Sequence, residues 1–188
     1  MTHNFKPGAG SQKLKTESWS PEGRTAMFVI FRALTYATLF VGFVLVFLPA
    51  RILAIAGIAR PSPLAWPQIL GLAVGIAGAA LAVWCVLAFA FIGKGTPAPF
   101  DPPRRLVIRG PYRYVRNPMY IGATLALAGA AIFFEALSLA AFVAGFLLVT
   151  HLFVLVYEEP TLRRTFGPDY DSYCARVHRW LPRFLINA

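Results

Sequence analysis

A short basic and aromatic segment that turns abruptly into an apolar run is the part of this sequence best suited to chemistry. It extends from Arg109 to Gly122 and reads R-G-P-Y-R-Y-V-R-N-P-M-Y-I-G. Asn117 is a favoured N-cap residue and Pro118 suits the first helical position, so a helix is predicted to begin at Pro118. A helix N-terminus beside arginines is able to hold an anion. The alternative is a plain aromatic and cationic membrane anchor.

A pair of acids ends the last apolar run, in the stretch H-L-F-V-L-V-Y-E-E-P from His151 to Pro160. Helical spacing predicts that His151, Val154 and Glu158 share one face. A histidine and a glutamate where a helix leaves the membrane are candidates for a functional site. Glu158 and Glu159 are predicted to pair with the arginine-rich segment. The alternative is that both acids are solvated and His151 is satisfied within the helix bundle.

A second helix is predicted after the break at Gly167 and Pro168, because proline suits a first turn and Asp169 and Asp171 favour the helix dipole there. One face of this helix carries Tyr170, Tyr173, Cys174 and Val177. The pattern is typical of an amphipathic helix at a membrane interface. It is compatible with a lid over the other cytoplasmic elements and equally with a membrane anchor.

The composition identifies the class of protein that must position these residues. Of 188 residues, 57% are hydrophobic and only 14% are charged, against about 25% charged in soluble domains. The sequence therefore predicts an all-α integral membrane protein. The net charge of +10 is spread over short segments between apolar runs, which indicates membrane topology and lipid contact rather than nucleic-acid binding. Cys85 and Cys174 form neither a metal motif nor a disulfide framework, so no metal is predicted.

Four transmembrane helices are predicted. The first covers Ala26–Leu48 and ends at Pro49, and the second covers Ile69–Ile92. The apolar run from Pro118 to Tyr157 would be about 60 Å long as one helix, twice the core of a bilayer at about 30 Å. It is therefore predicted to fold back around residues 134–136 and to supply the third and fourth spans. In the second span Gly71, Gly75 and Ala79 are predicted to form a close-packing face.

The loop charges predict the orientation. Lys and Arg number four in residues 1–25, two in residues 50–67, six in residues 93–117, none in the third loop and five after Tyr157. The positive-inside rule then places both termini in the cytoplasm. Residues 1–25 are predicted to be a polar cytoplasmic tail, and residues 26–188 a single membrane-embedded domain whose motif core is residues 93–183.

Three motifs together resemble the membrane-embedded methyltransferases, which comprise isoprenylcysteine carboxyl methyltransferases, phospholipid N-methyltransferases and their bacterial relatives. They are G-P-Y-R-Y-V-R-N-P-M-Y-I-G at 110–122, V-Y-E-E-P at 156–160, and F-G-P-D-Y-D-S-Y-C-A-R-V at 166–177 followed by R-W-L-P. Asn117 stands where isoprenylcysteine enzymes usually carry histidine, and N-P-M-Y and Y-E-E-P look closer to the phospholipid enzymes. The F-G-x-x-Y-x-x-Y tail looks like the isoprenylcysteine branch, so the resemblance leaves the acceptor open.

The resemblance implies that S-adenosyl-L-methionine binds between the last spans and the C-terminal segment, and that a lipophilic or amphipathic acceptor is methylated at the cytoplasmic face of a bacterial membrane. Glu158 and Arg116 are the catalytic candidates. The cofactor-binding candidates are Asn117, Pro118, Tyr120, Gly122, His151, Glu159, Tyr173 and Arg176. On this reading the helix start at Pro118 faces the cofactor carboxylate, with Arg116 adding charge. Tyr173 and Arg176 close the site.

Two other functions fit parts of the pattern. Sterol-type reductases are similar in their C-terminal half and use a nicotinamide cofactor, but their additional spans are missing from this sequence. A non-catalytic helical membrane protein, whose charges serve only topology, is the other alternative. Binding of S-adenosylhomocysteine or of NADPH would distinguish the three.

Overall fold

The computed structural model describes residues 31, 35, 38–39, 41–61, 65–88 and 106–182. Within these residues the protein is helical and has no β-strand. The α-helices are α1 (Leu48–Ile55), α2 (Trp66–Ala88), α3 (Pro118–Phe133), α4 (Leu137–Phe153), α5 (Glu159–Phe166) and α6 (Pro168–Arg176). A 3₁₀ turn covers Gly110–Arg113, and π-helical turns cover Val41–Phe47 and Val154–Glu158.

Glycines bring α2 and α3 into backbone contact. A Cβ atom added to Gly71 would lie 2.5 Å from the backbone nitrogen of Phe133, and one added to Gly122 would lie 2.7 Å from that of Ala82. Gly78 faces α3 just as closely. The predicted packing face is therefore present, but its third member is Gly78 rather than Ala79, which is exposed.

The turn between α3 and α4 lies where the sequence predicts it. Helix α3 ends at Phe133 and α4 begins at Leu137, with Glu135 between them at φ +49°. The buried Gln68 of α2 holds this turn, because its amide donates to the Phe133 carbonyl at 3.3 Å and to the Glu135 carboxylate at 2.8 Å. The helical hairpin is therefore confirmed.

Two prolines of the described residues, Pro49 and Pro160, lie inside continuous helical segments. A proline lacks the backbone N–H and its ring clashes with the carbonyl four residues earlier, and a wider π turn precedes each of them. Pro49 follows the turn at Val41–Phe47 and Pro160 follows the turn at Val154–Glu158. The prediction that Pro49 ends the first span is therefore wrong, since the helix continues to Ile55.

Among the residues that the structure describes, two helices are long and apolar enough to cross a membrane. They are α2 and the continuous segment Leu137–Phe166, whereas Gly42–Ile55 and Pro118–Phe133 are shorter apolar helices. The second span was predicted at Ile69–Ile92 and begins earlier, at Trp66; residues 89–92 lie outside the described part of the chain. Eleven of the 23 residues of the predicted first span, Ala26–Leu48, and the tail at residues 1–25 also lie outside it.

Helix α6 packs on the protein with the face that the sequence predicts to be apolar. Tyr170, Tyr173 and Val177 are buried, and they form a cluster with Leu162 and Phe166 of α5. This face is therefore covered by α5 and by the segment that precedes the 3₁₀ turn, which contributes Leu106 to the cluster. The aromatic face of α6 thus joins the C-terminal segment to the basic segment before α3.

Candidate functional site

The C-terminal segment runs beside the basic segment that precedes α3. Val115 and His178 form an isolated parallel bridge, and the backbone N–H of Arg116 donates to the His178 carbonyl at 2.9 Å. The Tyr173 hydroxyl donates to the Tyr112 carbonyl at 2.6 Å. The two motifs, about sixty residues apart in the chain, therefore form one structural unit at one end of the apolar helices.

Glu159 is the centre of an ion cluster in this unit. Its carboxylate accepts two hydrogen bonds from Arg179, at 2.7 and 2.9 Å, and lies 3.2 Å from Nη1 of Arg116. The Glu159 and Arg116 side chains are only 11% and 13% exposed, so the carboxylate compensates charges that are largely removed from water. The bonds to Glu159 raise the pKa of Arg179 above its ordinary value.

Glu158 has a different environment from its neighbour. Its Oε2 atom accepts a hydrogen bond of 3.0 Å from the Tyr120 hydroxyl. In the described part of the chain no Lys, Arg or His lies within ion-pair distance of it. The π turn that ends at Glu158, together with α5 starting at Glu159, directs the two carboxylates to different partners. Glu158 is therefore a half-buried carboxylate without a compensating cation among the described residues.

Arg116 has a hydrogen-bond donor that is not used within the described residues. Its Nη1 atom contacts Glu159 and donates to the Cys174 sulfur at 2.8 Å. Its Nε atom is buried and has no acceptor in the described structure. Buried polar groups are normally paired, so an unused guanidinium N–H is a feature that an anionic ligand would satisfy.

Trp180 joins the C-terminal segment to α4. Its indole N–H donates to Nδ1 of His151 at 3.0 Å, and the ring centroids lie 5.9 Å apart. Because Nδ1 accepts this bond, a neutral His151 carries its proton on Nε2. The bond from Trp180 therefore fixes the orientation of the His151 ring at this end of α4.

Three buried tyrosines complete the unit. Burial raises the pKa of Tyr112, Tyr170 and Tyr173 above the ordinary tyrosine value, and the nearby Cys85 and Glu158 raise that of Tyr112 further. These phenols are therefore neutral at physiological pH and remain hydrogen-bond donors. The hydrogen bond from the Tyr173 hydroxyl to the Tyr112 carbonyl is therefore retained throughout the neutral pH range.

Several of the predicted residues have different surroundings from those expected. Pro118 begins α3 as predicted, but Asn117 makes no side-chain cap. It donates instead to the Arg179 carbonyl at 3.3 Å, because the C-terminal segment lies beside it. Gly122 faces α2. Arg176 is exposed and bonds to the carbonyl of Ser172 in its own helix.

The remaining predicted residues are brought together. Arg116, Tyr120, His151, Glu158, Glu159 and Tyr173 all contribute hydrogen bonds or ion pairs to the unit. Arg179, Trp180 and Cys174 were not among the predicted site residues, although they bond to Glu159, His151 and Arg116. The signal for the first two was present, since both belong to the R-W-L-P motif that follows α6.

Comparison with known families identifies the family of the chain. The profile of the phospholipid methyltransferase family matches residues 66–169, which is more than half of the chain. The chain belongs to the phospholipid methyltransferase family. The match extends from α2 into the start of α6 and includes both Tyr120 and the acid pair. The predicted resemblance to membrane-embedded methyltransferases is therefore confirmed.

One curated protein of a different description is also similar to this chain. The nickel-cobalt-cadmium resistance protein NccN of Alcaligenes xylosoxydans xylosoxydans is 29% identical over 125 residues, which cover 64% of this chain and 54% of that protein. The chain therefore matches about half of the length of this relative. No solved structure matches the chain. Membership of the family, together with the two helices of the described residues that are able to cross a bilayer, indicates a membrane protein.

Proposed function

We propose that this protein is an integral membrane methyltransferase that transfers a methyl group from S-adenosyl-L-methionine to a lipophilic or amphipathic acceptor. The observation that carries the proposal is the separation of the two acids. Glu159 compensates Arg116 and Arg179, whereas Glu158 is held by Tyr120 and has no cationic partner among the described residues. An anionic and a cationic binding group are thus available at the end of the apolar helices.

The residues present suit the cofactor. S-adenosylmethionine carries a carboxylate, an ammonium and a sulfonium, and when bound it would supply an electrophilic methyl group. The unused Nε of Arg116 is suited to the carboxylate, and the carboxylate of Glu158 is suited to a positive charge. Both groups are at least partly removed from water, which strengthens their electrostatic attraction to the opposite charges of the cofactor.

Positioning is the main contribution expected of the protein, since methyl transfer is an in-line displacement. Tyr120 fixes the orientation of the Glu158 carboxylate, and Glu159 fixes the guanidinium of Arg116. Tyr173 and Trp180 hold the C-terminal segment against the 3₁₀ turn and α4, which limits water at these groups. The proposed acceptor is amphipathic because the site lies at the end of apolar helices that lipids reach laterally.

The proposed topology has four spans, both termini in the cytoplasm, and the site at the cytoplasmic face of a bacterial membrane. It is supported by the alternation of Lys and Arg along the sequence. Residue 109 and residue 57 are suitable positions for cysteine labelling in a chain whose two native cysteines have been replaced. Labelling of residue 109 from outside the cell would contradict the proposed topology.

Ligand binding tests the proposed function against its alternatives. S-adenosylhomocysteine is expected to raise the melting temperature of the purified protein, because a ligand at a hundredfold excess over its dissociation constant stabilises by about 2.7 kcal/mol. NADPH is expected to have no effect. Transfer of labelled methyl groups to a membrane lipid extract is the matching activity test. A shift with NADPH alone would favour a reductase, and no shift with either ligand would favour a non-catalytic protein.

A further inference from the structure

Thr124 differs from three other helical threonines of the described structure. The hydroxyls of Thr35, Thr150 and Thr165 each donate to the carbonyl four residues earlier, at 2.8–2.9 Å. The Thr124 hydroxyl makes no such bond, and its oxygen is buried without any hydrogen-bond partner among the described residues. A buried hydroxyl without a partner costs free energy, so this one requires an explanation outside the described contacts.

The position of Thr124 relates it to the site. It lies four residues after Tyr120 on α3, so the two side chains share a helical face, with Thr124 about 6 Å further along the helix. Tyr120 on this face bonds to Glu158. The adjoining residues Ala123 and Leu127 are buried in an apolar cluster with Phe146 of α4. The hydroxyl therefore lies on the apolar side of Tyr120, away from the ion cluster of Glu159.

We propose that the Thr124 hydroxyl determines acceptor specificity by donating a hydrogen bond to an oxygen of the methyl acceptor. This inference rests on the proposed function. A hydrogen-bonding oxygen that reaches this depth must belong to a largely apolar molecule, because the surroundings of Thr124 are apolar. The acceptor is thus a lipid that carries an oxygen, such as that of an ester or hydroxyl group. Along α3, this oxygen lies about one helical turn from the part of the lipid that contacts Tyr120.

The test compares Thr124→Val, which removes the hydroxyl and keeps the shape, with Thr124→Ser, which keeps the hydroxyl. The probe is a total membrane lipid extract with labelled S-adenosylmethionine. One hydrogen bond contributes about 0.5–1.5 kcal/mol, so Thr124→Val is expected to raise the half-saturating amount of extract about 2- to 12-fold. Thr124→Ser is expected to restore the wild-type value. Binding of S-adenosylhomocysteine is expected to be unchanged in both variants.

Thermal unfolding without added lipid separates this role from a structural one. Thr124→Val is expected to melt no lower than the wild type, because the hydroxyl has no partner to lose. Thr150→Val is the matched control, since that hydroxyl is already bonded to the Phe146 and Leu147 carbonyls; its half-saturating amount of extract is expected to be unchanged. Ser138 provides a second control, because its buried hydroxyl also lacks a partner among the described residues but lies beside the α3–α4 turn. Ser138→Ala is expected to leave lipid saturation unchanged.

Two results would overturn the inference. One is a lower melting temperature for Thr124→Val that Thr124→Ser restores, since it would show that the hydroxyl has a partner within the fold. The other is an unchanged half-saturating amount of extract for Thr124→Val. Failure of the proposed function itself is distinguishable, because the wild-type protein would then neither bind S-adenosylhomocysteine nor methylate the extract. In that case the thermal comparison would still decide whether the hydroxyl is paired.

Discussion

Glu158 and Glu159 are consecutive residues whose carboxylates point to different partners. Glu158 accepts a hydrogen bond from Tyr120 of α3, whereas Glu159 accepts two from Arg179 of the C-terminal segment. The end of the π turn lies between them. One acid therefore has a neutral partner and the other has charged ones, and their substitutions should have separable effects.

Glu158→Gln is expected to remove activity and to leave the fold intact. The amide keeps the shape and a carbonyl that can accept from Tyr120, but it removes the negative charge. If the charge compensates a bound cation, its loss costs about 3–5 kcal/mol, which corresponds to a roughly 10²- to 10³-fold or greater fall in rate. The measurement is methyl transfer to a lipid extract with S-adenosylhomocysteine binding in parallel. Near-wild-type values for both would exclude Glu158 from the site.

Glu159→Gln is expected to lower stability directly. Two guanidinium groups, of Arg116 and Arg179, would lose their carboxylate, and breaking a buried ion pair costs about 3–5 kcal/mol. The lower value of this range is expected, because the Arg179 side chain is 30% exposed. Asp171→Asn is the control, since it breaks the Arg163–Asp171 pair, which is 57% exposed on both sides and should contribute little to stability because water screens it. Equal melting temperatures for the two variants would contradict a structural role for the cluster.

Gly129→Ala is expected to separate α2 from α3. An added Cβ would lie 2.5 Å from the Gly71 carbonyl oxygen, and overpacking of this kind costs about 1–3 kcal/mol. Gly145→Ala, in the interior of α4, meets no atom within 4 Å and should stabilise by up to about 1 kcal/mol through helix propensity. Thermal unfolding of the two variants should therefore shift in opposite directions. A stabilised Gly129→Ala variant would show that the helices are not in backbone contact.

The stability of the protein is expected to fall as the pH rises above about 10. Burial raises the folded pKa of Tyr112, Tyr170 and Tyr173, whereas tyrosines of the unfolded chain ionise near pH 10. The folded state therefore retains protons that the unfolded state loses, so stability is complete below pH 10 and decreases above it. Denaturant unfolding at pH 8 and pH 10.5 measures this.

Tyr173→Phe tests the origin of that alkaline loss. The variant lacks the bond to the Tyr112 carbonyl, so it should be less stable at pH 8 by about 1 kcal/mol. Its further decrease between pH 8 and pH 10.5 should be smaller than that of the wild type. The exposed Tyr114 is the control position, and Tyr114→Phe should leave the stability at pH 8 unchanged. An identical pH dependence for Tyr173→Phe and the wild type would contradict the assignment.

Local features of the sequence determined the turn at residues 134–136 and the starts of α3 and α6. The length of the apolar run beginning at Pro118 requires a turn because a single helix would be about twice the bilayer core, and the turn at residues 134–136 is present. The starts of α3 and α6 are also predicted locally, because proline suits the first position of a helix. The motifs that carry the family assignment are likewise contiguous stretches of sequence.

Partner choice among the site residues was decided only by the tertiary structure. An α-helical period predicts one face for His151 and Glu158, but a π turn with hydrogen bonds to the fifth residue changes the phase between Val154 and Glu158. The arginines consequently meet Glu159. Asn117 bonds to the Arg179 carbonyl rather than to its own helix, because the C-terminal segment lies beside it. Contacts between segments sixty residues apart depend on how helices pack, which a local pattern of residue types does not specify.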